Sequence, residues 1–235
     1  SRQPGDENFA GIYAVVPNFA LELAARYGAP VAGEDIDLSH IDGIIIGSEP
    51  VTETAVDNFW EVFSKYGLKR EAMRPSYGLA EAALIVATPQ EGERPLITHF
   101  NREQLTAGKA VVEDKSEQTV AFASNGQGVP AQYLTIVDPE TKAELADAQI
   151  GELWLHGDNM AAGYLGREDE TASTFRNTLA TRLPEGSRVV GAPEDDKWMA
   201  TGDLATIVDG HLYITGRLKD LIVVAGRNHY PQDIE

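Results

Sequence analysis

Short apolar runs bounded by turn formers open the readable part of the chain, and helical periodicity follows two of them. Within residues 41–51 (IDGIIIGSEPV), Ile44 to Ile46 form an unbroken β-branched run. A strand buried on both faces reads this way. Gly47 and Pro50 then punctuate a turn. A helix is expected from about Thr52 to Tyr66, because Val56, Phe59, Trp60 and Phe63 fall at i, i+3, i+4 and i+7 on one stripe. Gly67 is expected to stop it. The earlier segment PNFALELAARYG reads as another amphipathic helix, closed by Gly28. A strand–turn–helix unit of this kind points to an α/β fold.

Residues 88–129 mix short strand-like pieces with charge and turn residues, and are expected to form an elaborated insertion on the surface. Asn101 can cap a short helix there, through Glu103 and Gln104. From about Gln132 the pattern is β: YLTIVD, GELWLHG and KWMATGDLATIV read as strands. Asp209-Gly210 between LATIV and HLYIT is a two-residue hairpin signal. The last stretch, GRLKDLIVVAGRNHYPQDIE, reads as a polar junction, a buried strand from Leu221 to Val224 and a Gly-Arg-Asn loop. Phe59, Trp60 and Phe63 read as core packing, Trp154 and Leu155 as strand core, and Glu194-Asp195-Asp196 as a solvated loop.

Composition narrows the function. The chain has 235 residues, with 19 Lys and Arg against 37 Asp and Glu, a formal net charge of −18. That balance argues against nucleic acid as a main partner, while leaving room for a small basic site for a nucleotide. There is no Cys, which excludes disulfides, thiolate nucleophiles and Cys-ligated zinc and fits a cytoplasmic protein. No apolar run approaches the roughly 18–20 residues of a membrane-spanning helix. The opening SRQPGDENF is polar, with no signal-peptide pattern and no initiator Met, so the chain is expected to be a fragment. The His residues make no His-Glu-x-x-His pair, Ser48 lacks the glycine of a nucleophile elbow, Gly108-Lys109 lacks the rest of a P-loop, and no Gly-x-Gly-x-x-Gly occurs.

Three segments combine glycine, a carboxylate and a strand end: SYGLAEA (Ser76 to Ala82), TGDL (Thr201 to Leu204) and GRLKD (Gly216 to Asp220). Alone, SYGLAEA reads more readily as a turn into a core helix, TGDL as a plain strand end and GRLKD as a solvated polar turn. Together they supply the chemistry of nucleotide binding. Tyr77 beside Gly78 can stack on a purine. The carboxylate of Asp203 can accept both hydrogens of a ribose diol. The planar fork of Arg217 can bridge ribose and phosphate oxygens. Glu81, one helical turn on, can hold Mg²⁺, which takes oxygen ligands and often needs only one or two carboxylates.

These segments, with GSEPV, PNFA, FNREQLTAGKAV and GRLKDLIVVAGRNHYPQDIE, resemble the acyl-adenylate-forming superfamily. Within it they are most similar to fatty acyl-AMP ligases of the long-chain type found in actinobacterial mycolic acid synthesis. The resemblance runs over essentially the whole chain. It implies an ATP- and Mg²⁺-dependent ligase that activates a long-chain fatty acid to acyl-AMP. The acyl group then passes to an acyl carrier protein or polyketide synthase. It implies an α/β fold: part of the large adenylate-forming domain, with α/β layers and a β-rich half, over 1–216. A hinge and the first strand of a small C-terminal domain are expected over 217–235. The family insertion, which disfavours coenzyme A, would be 88–129. By the same resemblance Gly47, Ser48, Glu49 and Pro50 form a loop on the adenine side, continued by Ser76, Tyr77, Gly78, Leu79 and Ala80. Glu81 is the expected Mg²⁺ ligand and Lys219 the hinge, both placed in the catalytic set, with Asp203 and Arg217 on the ribose and phosphates. Pro17, Asn18 and Phe19 are expected to line the acyl side.

The chain departs from the family pattern in lacking the phosphate loop before SYGLAE and the Lys near the end of the small domain. Ala83 and Ala200 replace the Thr and Arg of many relatives. The missing loop and Lys leave the chain alone expected to be inactive, whereas the two substitutions are small and expected to be tolerated. The competing readings are a fatty acyl-CoA synthetase and a non-catalytic adenylate-binding module.

Overall fold

The computed structural model describes residues 11–31, 34–130, 132–192, 197–220, 222–224 and 227–229. The elements run β1 (Ile12–Pro17), α1 (Asn18–Tyr27), β2 (Ile41–Gly47), α2 (Glu53–Phe63), β3 (Met73–Pro75), β4 (Tyr77–Leu79) and β5 (Leu84–Thr88). They continue as β6 (Ile97–Asn101), α3 (Arg102–Thr106), β7 (Thr119–Ala123), β8 (Gln127–Gly128), β9 (Gln132–Val137), β10 (Gly151–Gly157) and α4 (Glu168–Phe175). The described part closes with β11 (Met199–Val208), β12 (His211–Arg217), β13 (Ile222–Val224) and β14 (Arg227–His229).

Strands β1, β2 and β3 form a parallel sheet in that order, with Pro17 opposite Gly47 and Ile46 opposite Pro75. Their carboxyl ends therefore lie along one edge. Parallel strands need crossovers, and α1 and α2 supply them. The β-branched run of β2 is buried at Ile44 and Ile46, under Leu21 of α1 and Val56 and Phe63 of α2. The expected stripe of α2 is the face it buries, with Phe59 and Trp60 partly covered at its margin. Thr52 caps α2, its Oγ accepting from the Ala55 N–H at 3.2 Å. The helix continues as a 3-10 turn over Ser64–Tyr66 and stops at Gly67.

The second half is an antiparallel sheet in the order β12-β11-β10-β9. Its inner face carries Ile136, Leu153, Leu155, Met199, Ile207 and Leu212, closed by Val86 and Ala87 of β5 and Phe175 of α4. Trp154 lies on the opposite face and is buried there with Trp198 and Leu179. Asp209 and Gly210, at φ 50° and 81°, make the predicted turn between β11 and β12. Both residues of a type I′ turn need positive φ.

Three expectations change. Glu81 was expected on a helical turn, but β4 and β5 form an antiparallel hairpin whose tip is a single 3-10 turn, Ala80–Ala82. Gly78 makes that hairpin possible, because a Cβ there would lie 1.7 Å from the Leu84 carbonyl oxygen. The expected Gly-Arg-Asn loop is in part strand: Arg227–His229 pairs antiparallel with Ile222–Val224. A backbone ladder is indifferent to the polarity that suggested a loop. Leu221, the acidic run 194–196 and residues 1–10 lie outside the described residues.

Residues 88–129 are also more than a surface elaboration. β6 and β7 form a hairpin that presents Phe100, Val120 and Phe122 inward. Phe100 is fully buried, its ring edge-on to Tyr213 of β12 at 5.1 Å, and Thr98 shares a 2.8 Å hydroxyl contact with Tyr213. Asn101 caps α3 as expected, accepting from Gln104 N at 2.9 Å. α3 in turn approaches β14 to within 8 Å between Cα atoms. A hairpin with one wet face mixes apolar and polar positions, which is why the anchor was hidden in the sequence.

Phe100→Ala should therefore destabilise the fold by about 3–5 kcal/mol, the usual cost of removing a fully buried aromatic ring. Urea unfolding monitored by circular dichroism measures it. A loss within ordinary surface scatter, about 0.5 kcal/mol, would mean the insertion is not packed on β12.

Candidate functional site

The carboxyl edge of the parallel sheet gathers the first group of candidate residues, because each strand delivers its following loop there. Open α/β sheets bind ligands at such an edge. After β1, Asn18 is buried and its Oδ1 accepts the Thr52 N–H at 3.1 Å. After β2, Gly47 leads into Ser48, whose φ of 69° turns the loop, and then Glu49 and Pro50. Glu49 Oε1 accepts the Phe19 N–H at 2.7 Å, a carboxylate on the amino end of α1. Glu49 thus ties the two loops together. After β3, Ser76 N–H donates to Ile46 O at 2.8 Å, and its Oγ donates to Arg74 O at 2.9 Å while sharing a 2.9 Å contact with Thr88.

The second group comes from the β11–β12 hairpin. A bulge between Leu204 and Ala205 shifts the register by one residue, so that Asp203 lies opposite Arg217. A one-residue shift is what exchanges faces in a strand pair. Arg217 Nε stands 3.3 Å from Asp203 Oδ1. On the other side, the Tyr77 hydroxyl donates to Asp203 Oδ2 at 2.6 Å. Asp203 is thus held between a neutral donor and a cation. Its strand is braced from below. Gly202 N–H and the Trp154 indole N–H donate to the two oxygens of the buried Glu152, at 2.9 and 2.8 Å, and Thr201 Oγ donates to Leu153 O at 2.8 Å. Glu152 escaped the sequence reading; a carboxylate inside the apolar run of GELWLHG was the available signal, since such groups are seldom buried without partners.

Glu81 sits at the tip of the β4–β5 hairpin, just before Ala83 and Leu84, both at positive φ (53° and 86°). Its carbonyl accepts the Ala161 N–H at 2.7 Å, and its Oε1 accepts the Tyr164 hydroxyl at 2.7 Å. Tyr164 was also missed, since nothing local marks a tyrosine 83 residues away as a partner.

An open cleft of about 510 Å³ brings Leu79, Glu81, Asp203, Arg217 and Lys219 together, with Thr201 on its wall. That is within the range of small-molecule sites. Gly47, Ser48, Glu49, Pro50, Ser76, Gly78 and Ala80 are not part of its lining, and Tyr77 reaches it through Asp203. The donor set suits a nucleotide. Asp203 offers acceptors for a diol, while Arg217 and Lys219 offer charge for phosphates. For a metal, no group of three or more His, Asp or Glu occurs among the described residues. Mg²⁺ is compatible with that, because it is commonly held by one or two carboxylates plus substrate phosphates. Glu81, with Oε1 taken by Tyr164, offers Oε2 as the protein oxygen.

Burial, reinforced by the charge and hydrogen bond of Asp203, pushes the Tyr77 phenol well above its ordinary 10.0. The unfolded chain releases that proton near pH 10; the folded chain keeps it. The stabilisation tied to Tyr77 is therefore complete below about pH 10 and is lost as pH rises beyond it. In urea unfolding, the stability gap between wild type and Tyr77→Phe should narrow above about pH 10. A gap that stays constant would mean that Tyr77 ionises as it does when unfolded.

The sequence pattern of the family described as AMP-binding enzyme matches residues 8–165. The long-chain-fatty-acid–AMP ligase FadD32 of Mycobacterium marinum is 47% identical over 237 aligned residues, covering 100% of this chain and 37% of that protein. The long-chain-fatty-acid–AMP ligase FadD26 of Mycobacterium tuberculosis is 44% identical over 225 residues, covering 95% of this chain and 37% of that protein. Among solved structures, a fatty acyl-adenylate ligase from L. pneumophila in complex with acyl adenylate and pyrophosphate superposes with a TM-score of 0.76 at 31% identity. That match covers 95% of this chain and 37% of the other. The chain thus spans a little over a third of the length of these relatives. With two-thirds of its length matched and the mixed α/β fold shared, the chain belongs to the AMP-binding enzyme family.

Proposed function

We propose that the chain is part of a long-chain fatty acid–AMP ligase. Such an enzyme activates a fatty acid with ATP and hands the acyl group to an acyl carrier protein or a polyketide synthase. The observation that carries this reading is the cleft in which Tyr77, Asp203 and Arg217 form one hydrogen-bonded and ion-paired chain beside Glu81. The likeness to FadD32 and FadD26 supports the choice of acid.

In this reading Asp203 accepts from the ribose hydroxyls, and Tyr77, held to Asp203, sits against the nucleoside. A fatty carboxylate oxygen attacks the α-phosphorus, the bond to the bridging oxygen breaks, and pyrophosphate leaves, giving acyl-AMP. Charge crowds at phosphorus in that step, and Arg217 offsets it from a preset position, which is the main form catalysis takes in phosphoryl chemistry. Mg²⁺ bound through Glu81 would neutralise phosphate charge. In the second step a carrier thiolate attacks the acyl carbonyl and AMP leaves. The loops with Pro17–Phe19 and Gly47–Pro50, which lie outside the cleft lining, are assigned to the acyl chain and the adenine. Residues 1–216 belong to the large domain and 217–235 to the hinge and small domain, with Lys219 at the hinge. Pairing of an ATP-dependent reaction with carrier proteins fits the cytoplasm, and no helix among the described residues is long and apolar enough to cross a membrane.

The docked insertion favours the ligase over an acyl-CoA synthetase. Phe100 and Tyr213 fix it to β12, and α3 comes close to β14, so it stands against the segment assigned to the small domain. An element bolted there limits the rotation a coenzyme A acceptor would require. The retained cleft speaks against a non-catalytic module.

In the full-length protein, Asp203→Ala should weaken ATP binding about 10- to 100-fold by calorimetry, since hydrogen bonds to charged groups contribute roughly 1.5–3 kcal/mol. An unchanged affinity would remove Asp203 from the nucleotide site. Replacing residues 102–118 with a short Gly-Ser link should leave fatty-acid-dependent pyrophosphate release intact and allow acyl-CoA to form. A folded, adenylating variant that makes no acyl-CoA would show that the insertion does not select the acceptor.

A further inference from the structure

The stretch after β10 does more than connect it to α4. Three of its groups close on the tip of the β4–β5 hairpin: Asn159 Nδ2 donates to Ala82 O at 2.8 Å, Ala161 N–H to Glu81 O at 2.7 Å, and the Tyr164 hydroxyl to Glu81 Oε1 at 2.7 Å. Tyr164 is itself fixed from α4. Its N–H donates to the Oγ of the buried Thr171 at 2.9 Å, and its ring meets Phe175 at 5.4 Å in an edge-on contact. Phe175 belongs to the main core. A continuous path therefore runs from the core through Phe175 and Tyr164 to one oxygen of the Glu81 carboxylate.

Without that path, a glutamate on a single 3-10 turn would sample several rotamers, each aiming its oxygens differently. We propose that Tyr164 is a positioning residue for Glu81: it holds Oε1 and so presents Oε2 to the divalent cation that accompanies the nucleotide. This rests on Glu81 being the cation's protein ligand. A hydroxyl suits the task better than a cation would, since it orients the carboxylate without neutralising it. Partners of this kind, one bond removed from a metal, usually set its affinity by about 10- to 100-fold.

The test is ATP binding to the full-length protein by calorimetry, titrated over Mg²⁺ concentration and repeated with the cation chelated. Tyr164→Phe keeps the ring and its packing and removes one oxygen. It should raise the Mg²⁺ concentration for half-maximal enhancement of ATP affinity about 10-fold, with cation-free affinity changed by less than about twofold. Thr171→Val, which loosens Tyr164 one step further back, should shift the same midpoint less and in the same direction, and carries the test if the Phe variant melts. Glu81→Gln should shift the midpoint at least as far, and adding Tyr164→Phe to it should do nothing more. Should Glu81→Gln leave the Mg²⁺ dependence intact, the assignment of Glu81 is wrong. Should it act while both Tyr164→Phe and Thr171→Val do not, the positioning role is overturned. Equal loss of affinity with and without the cation in Tyr164→Phe would overturn it as well, by making Tyr164 merely structural.

Discussion

Register in the β11–β12 hairpin decides what the cleft can do. The Asp209-Gly210 turn starts the ladder at Val208 and His211, and the single bulge at Leu204 and Ala205 shifts it, so that Asp203 ends opposite Arg217. Neither residue has another way to meet its partner, because both are carried on rigid strands. The buried Glu152, accepting from Gly202 and Trp154, then pins β11 to β10 next to the bulge. Tyr77 completes the arrangement only because the hairpin of β4 and β5 folds tightly enough for Gly78 to lie under the Leu84 carbonyl. Turn, bulge, buried carboxylate and glycine are separate local devices that converge on one aspartate.

Much of this was legible from the residues. The β-branched run of β2, the stripe of α2, the cap at Asn101 and the turn at Asp209-Gly210 are local signals, and each element stands where its signal put it. Of the polar residues picked out in the sequence, Glu81, Asp203, Arg217 and Lys219 share the cleft. What stayed hidden was long-range. The partnership of Tyr164 with Glu81, the brace of Glu152 beneath Gly202 and the packing of Phe100 on Tyr213 leave no mark in a sequence window, because periodicity reports a face but not what covers it. The conformation of SYGLAEA was misjudged for a related reason. Helix and hairpin both accommodate those residues locally, and the pairing of β4 with β5 is what decides.

Electrostatics separates the cleft from the rest of the surface. The chain is strongly acidic, at a formal net charge of −18, yet Arg217 and Lys219 stand together at the cleft wall. With Glu81 and Asp203 on the same wall, the cleft is locally balanced in charge, so an anion meets less repulsion there than over the rest of the molecule. Such contrast favours productive orientation over raw affinity, and it is sensitive to ionic strength because the repulsive part acts at long range.

The hydrogen bond from Tyr77 to Asp203 spans 126 residues, whereas Asp203 and Arg217 face each other across one hairpin. These two contacts have different standing during folding. A hairpin forms by closing a short loop, on a scale of microseconds, with little else in place. The tyrosine contact requires the β4–β5 hairpin and the large antiparallel sheet to have docked, and its loop-closure entropy is recovered only from that docking. The ion pair can therefore exist in a half-organised chain, and the phenol contact cannot. The environment of the Tyr77 ring is accordingly a built-in spectroscopic reporter of whether the β4–β5 hairpin and the large antiparallel sheet have come together.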